Sequence, residues 1–225
     1  MKIGIDYSIK SPALCILDLN GDLHFVSLPR KSVLKKVVTE NLVAAGVNVI
    51  LLDDEPALPK KALLEERERS SLTDAIMQTS KIADTIISYG ITCDKSGFVD
   101  KELLIGIEGF SFGSTGNRLA QISGYQYMFR YIMYYDHHLE PANFWVYAPM
   151  TIKATAGKGN FKKEQMIEAF INSEDPRVIK TGLWKALKET PEKFQNKKGA
   201  WEKPIDDIID SYWVLITLEQ KNKTI

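Results

Sequence analysis

The chain has 225 residues, 44% of them hydrophobic and 26% charged, and its 29 lysines and arginines are balanced by 29 aspartates and glutamates. That length and composition predict one soluble globular domain spanning 1–225 with a substantial core, and the neutral net charge names no partner. No apolar run reaches the ~20 residues of a membrane span; the richest, 125–135, is broken by Arg130. Asp6 and Lys10 fall where a signal sequence would need its apolar core, so a cytoplasmic location is expected. Cys15 and Cys93 lack paired spacing, which predicts free thiols, with neither a disulfide framework nor a zinc site.

In chain order, residues 1–7 alternate Ile3, Ile5 and Tyr7 with Lys2, Gly4 and Asp6, a strand with an acid at its end. A second strand is expected at 13–19. The turn residues Asn20-Gly21-Asp22 lead into a third at 23–28, so the chain opens as an antiparallel meander. The segment 29–69 is expected to hold a helix at 33–45, a short strand at 47–52 and a charged connector at 56–69. A helix at 71–89 follows, capped by Ser70 or Ser71 and stopped at Gly90. Residues 103–107 form a buried strand running into Glu108, and the glycine- and serine-rich loop 109–116 opens a helix at 117–135. A strand at 144–147, a basic loop at 149–160, a helix at 161–171 and a last helix at 205–219 complete the chain. Strands feeding crossover helices imply an α/β protein with a mixed sheet covered by helices.

The charges are unevenly spread. Lys153, Lys158, Lys162 and Lys163 lie in a stretch with no acid, and a second lysine-rich run extends from Arg177 to Lys203. Such a basic half can grip phosphate locally, although a solvated lysine face has the same composition. Asp6 and Glu108 each sit at the end of an apolar strand, where α/β sheets place their sites. Asp207 and Asp210 are one turn apart on the last helix, away from its apolar stripe of Ile205, Ile208, Ile209, Tyr212 and Ile216. Four converging carboxylates repel unless cations neutralise them, and oxygen ligands select Mg²⁺ or Mn²⁺. Two such ions, typically ~3.5–4 Å apart, can assist phosphodiester hydrolysis. Singly, a strand-end aspartate is often a turn residue and first-turn acids often serve the helix dipole.

The stretches Met1-Lys-Ile-Gly-Ile-Asp-Tyr-Ser8, Ile105-Gly-Ile-Glu-Gly-Phe110 and Asp207-Ile-Ile-Asp210 together resemble the acidic tetrad of RuvC-like Holliday-junction resolvases. Between them, Tyr147-Ala-Pro-Met-Thr-Ile-Lys153, Gly157-Lys-Gly159 and Lys163 are similar to that family's segment of a proline, a lysine, a Gly-x-Gly and a second lysine before a helix. The resemblance implies a ribonuclease H-like fold with three antiparallel strands followed by two parallel ones and helices on both faces. It implies that Asp6, Glu108, Asp207 and Asp210 hold two divalent ions, that Lys163 is catalytic, and that Lys153, Lys158, Lys162 and Lys163 meet DNA phosphates. The implied activity is symmetric hydrolysis of branched DNA by a homodimer, leaving 5′-phosphates, with helix 117–135 contributing to the dimer. Asp206 is an alternative to Asp207, and the Asp-x-x-Asp spacing favours Asp207. Measured against the bacterial members, the segments 29–69 and 175–203 are extra and read as insertions, which makes the chain more similar to phage and poxvirus members than to the bacterial enzyme.

Phe110 and Phe112 follow Glu108, and in such a family an aromatic there can stack on an unpaired base; one is expected exposed and the other packed inside. Asn117 and Arg118, at a helix start, can meet a phosphate or simply cap the helix. Gly157-Lys158-Gly159 lacks the Lys-Ser/Thr pair of a Walker A loop, so no nucleotide cofactor is expected. His24, His137 and His138 have no metal spacing. Other readings of the pattern are a ribonuclease H-like nuclease acting on RNA–DNA hybrids or flaps, and a non-catalytic junction-binding module. A sugar-kinase or actin-like ATPase would need a duplicated domain, for which the chain is too short.

Overall fold

A computed structural model describes residues 1–54, 57–59, 61–89, 103–110 and 117–222, without the side chains of residues 117 and 118. Three strands, β1 (Lys2–Asp6), β2 (Ala13–Leu17) and β3 (Leu23–Ser27), form the expected antiparallel meander. Its second turn is held by the Asp18 carboxylate, which accepts from the N–H groups of Asn20 and Asp22 at 2.9 Å each. Gly21 sits there at φ +86°, a conformation without steric cost for glycine. Helix α1 (Lys36–Ala44), strand β4 (Asn48–Val49) and helix α2 (Leu64–Ser88) follow. Next come β5 (Leu104–Glu108), α3 (Asn117–Tyr135), β6 (Phe144–Tyr147), α4 (Pro149–Ala156), α5 (Lys163–Ile171), α6 (Pro176–Ile179), α7 (Gly182–Glu189) and α8 (Ile205–Asn222).

Among the described residues the strands make one sheet in the order β4-β3-β2-β1-β5-β6. β5 and β6 run parallel to β1 beyond the meander, as expected. At the opposite edge β4 runs parallel to β3 over two residues. The strand expected at 47–52 is therefore shorter, and pairing resumes as an isolated Arg30–Leu52 bridge. Alternation divides the sheet's side chains between two cores. On one face Ile3, Ile5, Leu14, Ile16, Val26, Ile105 and Ile107 pack with Ile82, Ala83 and Ile86 of α2 and Tyr125, Phe129 and Met133 of α3. On the other, Ala13, Cys15 and Phe25 pack with α1, α5, α7 and α8.

Helix α8 lies directly on the sheet. Gly4 and Gly106 are register partners, and a Cβ added at Gly4 would stand 2.2 Å from the Ser211 carbonyl oxygen. At Gly106 a Cβ would meet the Val214 and Leu218 side chains at 3.1 and 3.4 Å. The glycines let a helix backbone approach where any side chain would hold it off. With α4 and α5 on its outer side, α8 is buried nearly all round, the state of a central helix.

Several boundaries differ from those expected. Helix α2 begins at Leu64, before Ser70 and Ser71, because the Glu66 carboxylate accepts from the Leu63 N–H at 2.8 Å and the charged connector is made of good helix formers; Gly90 is outside the described residues. The expected basic loop 149–160 contains α4, which Pro149 opens at its first position. Segment 175–203 is folded: Val178, Leu183, Leu187 and Phe194 are buried in the core beside α8. It also packs on segment 29–69, since a Cβ at Gly182 would stand 2.6 Å from the Ala45 carbonyl oxygen, and Asn41 donates to the Lys193 carbonyl at 2.9 Å.

Beneath the opposite face a buried ion pair ties the loop after Asp6 to α2. Arg30 meets Asp74 through two hydrogen bonds of 2.8 and 2.5 Å and donates from Nε to the Ile9 carbonyl at 2.9 Å. Gln78 donates to the Ser8 carbonyl at 2.9 Å, and the Tyr125 hydroxyl of α3 donates to Asp74. Gln126 donates to the Glu108 carbonyl at 2.8 Å. The strand ends carrying Asp6 and Glu108 are thus fastened from below by groups whose own hydrogen bonds fix their rotamers.

Candidate metal centre

The β1–β5 register ends with Ile5 opposite Ile107, which sets Asp6 and Glu108 level at the carboxyl ends of neighbouring parallel strands. Each acid lies two residues beyond a glycine that admits α8, so period-two alternation turns both carboxylates toward that helix. Asp210 precedes Ser211, the residue whose carbonyl rests on Gly4. The three carboxylates converge there: one oxygen from each of Asp6, Glu108 and Asp210 lies within 4.8 Å of the others.

Burial and mutual repulsion make ionisation of this cluster costly. Asp6 is held well above the ordinary carboxylate range, first by burial and then by Asp207, Glu108 and Asp210. Asp210 is pushed up to about 8 by burial and by Glu108, against the opposing influence of Lys163. Burial raises Glu108 too, while a hydrogen bond with Asp6 and the charges of Lys153 and Lys163 lower it. Partly buried carboxylate oxygens forced together in this way suit a hard divalent cation, which relieves both penalties. The donor set fits Mg²⁺ or Mn²⁺, with Asp6, Glu108 and Asp210 as the groups that would hold it.

Asp207 and Asp206 are arranged differently. Asp207 is 3% exposed; one oxygen accepts from the Ser11 hydroxyl and the other from Lys203 Nζ at 2.5 Å. Burial and Asp206 raise it, while Lys203 and Ser11 oppose them. Asp206 pairs with Lys163 and, at 2.9 Å, with Lys203; burial alone would raise it, but the two lysines bring it below its ordinary value. The structure thus brings three members of the expected tetrad together and sets Asp207 beside them in an ion pair. Both first-turn acids are buried, where an outward acidic face was expected, because α8 is covered on both sides.

Of the expected DNA-binding residues, Lys163 and Lys153 lie close enough for their charges to lower Glu108, and Lys158 and Lys162 are exposed on the link between α4 and α5. In that link a Cβ at Gly157 would stand 2.6 Å from the Phe161 ring, and one at Gly159 would stand 2.9 Å from the Met150 side chain. The Gly-x-Gly therefore serves a tight turn. Phe110 is partly buried at the end of β5; Phe112 lies outside the described residues, as do the side chains of Asn117 and Arg118 at the start of α3. Ser11 and Lys203 were not singled out from the sequence. Lys203 had one available signal, its position four residues before Asp207 at the head of a helix.

The raised Asp210 has a measurable consequence. An unfolded aspartate titrates near about 3.9, so between that value and about 8 the native state keeps a proton that the unfolded chain has released. Stability of the metal-free protein therefore falls as pH rises through this window. A cation takes over the proton's role, so saturating Mg²⁺ should raise Tm more at pH 8 than at pH 5.5. At a hundredfold excess over Kd the gain is about 2.7 kcal/mol, roughly 5–10 °C for a chain of this size. Thermal melts with Mg²⁺ and with chelator check this; equal gains at both pH values would contradict it.

No family model matches the sequence, and no curated protein matches it. Among solved structures, Thermus thermophilus RuvC in complex with a Holliday junction substrate aligns over 98% of this chain and 94% of its own, with a TM-score of 0.50 at 10% identity. Another Thermus thermophilus RuvC structure aligns over 98% and 96%, with a TM-score of 0.44 at 11% identity. The chain has a ribonuclease H-like fold. The mixed sheet, the meander followed by parallel β5 and β6, and helices on both faces are those expected from the sequence. Among the described residues, no helix is long and apolar enough to cross a membrane.

Proposed function

We propose that this chain is a divalent-metal-dependent endonuclease that resolves four-way DNA junctions by symmetric phosphodiester hydrolysis as a homodimer. The observation that carries this reading is the convergence of Asp6, Glu108 and Asp210 at the carboxyl edge of a RuvC-like sheet, in the family's chain order. RuvC itself is known bound to a Holliday junction. When bound at these carboxylates, Mg²⁺ or Mn²⁺ supplies charge neutralisation and Lewis-acid assistance to hydrolysis. The chain's own contribution is to hold the three carboxylates on two strand ends and one helix that cannot move independently. Lys163, paired with Asp206, would stabilise charge on the scissile phosphate. Lys153, Lys158 and Lys162 extend a basic rim that tracks the backbone of a DNA arm, and Phe110, Phe112, Asn117 and Arg118 are the further DNA contacts of this reading. The insertions 29–69 and 175–203 are the ground for placing the chain nearest the phage and poxvirus members.

The dimer reading rests on α3. Tyr125, Phe129 and Met133 are buried beneath it, whereas Tyr127, Tyr131, Tyr134 and Tyr135 are exposed. Tyr131 and Tyr135 stack with centroids 5.7 Å apart, and Arg130 lies over Tyr127 at 4.3 Å. A tyrosine-rich face with an arginine has the composition favoured at protein interfaces, and a two-fold pair would set two centres on opposed DNA strands.

Labelled four-way junctions, linear duplex and RNA–DNA hybrid, each incubated with Mg²⁺, test the proposal. Paired nicks in junctions at low enzyme concentration are expected, with linear duplex left intact. Preferential cutting of the hybrid would replace the resolvase reading with another nuclease of the same fold. Junction binding without cutting under any divalent ion would reduce the chain to a binding module.

A further inference from the structure

The acidic centre continues past the three converging carboxylates as an alternating chain of charges. Lys163 pairs with Asp206, Asp206 also meets Lys203 at 2.9 Å, Lys203 meets Asp207 at 2.5 Å, and the remaining Asp207 oxygen is taken by Ser11. Both oxygens of Asp207 are therefore engaged by the protein, on a side chain that is 4% exposed. Lys203 stands immediately before Pro204, at the head of α8, so its ammonium reaches both first-turn acids by local geometry alone. Charge balance points the same way. With every carboxylate ionised, Asp6, Glu108, Asp206, Asp207 and Asp210 face the ammonium groups of Lys153, Lys163 and Lys203. One divalent cation cancels what is left over; two would leave the buried site positive before any phosphate arrived.

We propose that Lys203 is a built-in cation of this centre, its ammonium standing beside Asp207 where a second divalent ion would bind, so that the chain takes one divalent ion on Asp6, Glu108 and Asp210. The proposal rests on the metal-centre reading above. It assigns Asp207 a positioning role, holding Lys203 and the Ser11 loop, in place of the ligand role expected from the tetrad. Asp206 likewise holds Lys163 and Lys203 toward the site.

Titration of the metal-free chain with Mn²⁺, followed by calorimetry and by electron paramagnetic resonance of the free ion, reads the stoichiometry directly and needs no cleavage. One ion per wild-type chain is expected, two for Lys203→Met, in which Asp207 is released, and one for Lys203→Arg, which keeps the cation. Two ions on the wild-type chain, or one on folded Lys203→Met, would overturn the proposal while leaving the nuclease reading intact. No bound ion on the wild-type chain would overturn both. Should Lys203→Met fail to fold, the wild-type count alone decides between one ion and two.

Discussion

Replacing Asp210 by asparagine should lower junction cleavage by at least about a thousandfold while raising the thermal stability of the metal-free protein at pH 8. The first effect follows from geometry. Asp210 is one of three carboxylates whose oxygens lie within 4.8 Å, and an amide in its place offers no charge to the cation. Metal assistance is worth several kcal/mol of transition-state stabilisation, and ~1.4 kcal/mol is tenfold in rate. The second effect separates a functional acid from a structural one. Burial and Glu108 push Asp210 up to about 8, so at pH 8 the native state bears the cost of a partly ionised, repelling carboxylate, which the amide removes. A residue that merely held the fold together would lower both activity and Tm. Cleavage assays, Mn²⁺ titration and paired melts in chelator are the measurements; a variant that loses Tm at pH 8 without metal, or keeps near-normal cleavage, would contradict the assignment. Asp6→Asn should behave alike, since burial and Asp207 and its other acidic neighbours raise Asp6 in the same direction.

A second large effect is expected at a residue with no chemistry. Gly4→Ala should destabilise the protein by about 3 kcal/mol or more, at or beyond the upper end of ordinary overpacking costs. The added methyl would stand 2.2 Å from the Ser211 carbonyl oxygen and 2.4 Å from the Leu215 nitrogen, both backbone atoms of a helix gripped on its far side by α4 and α5. Neither can swing away as a side chain could. At the paired position the neighbours are the side chains of Val214 and Leu218 at 3.1 and 3.4 Å, which can give by a few tenths of an ångström, so Gly106→Ala should cost only about 1 kcal/mol. Urea unfolding with an unchanged m-value resolves the difference. Gly4→Ala should also weaken Mn²⁺ binding, because lifting Ser211 from the sheet lifts Asp210 away from Asp6 and Glu108. Equal costs at the two glycines would show that α8 is less firmly seated than its contacts indicate.

These two residues mark how far the sequence could be read. Alternation in residues 1–7 and 103–107, each with an acid at its end, made both strands, their depth and the edge that carries the acids legible, because a period of two and a terminal charge are local properties. The turn at Asn20-Gly21-Asp22 was legible for the same reason. The beginning of α2 was not, since a glutamate reaching back to an N–H leaves the same letters as a charged connector. Nor was α4, which read as part of a basic loop until Pro149 is seen to open a helix.

By itself the sequence determined the strands, most of the helices, the mixed sheet and the set of acids from which a centre is drawn, since backbone propensity and side-chain periodicity act within a few residues. Which acids meet was decided by tertiary structure. Glycines at register positions 4 and 106 let α8 settle onto the strands and carry Asp210 to Asp6 and Glu108. The same docking buried Asp206 and Asp207 and handed them to Lys163, Lys203 and Ser11. Asp207 and Asp210 are one helical turn apart and chemically identical, so their separate surroundings come from what packs around α8, a property no local pattern encodes.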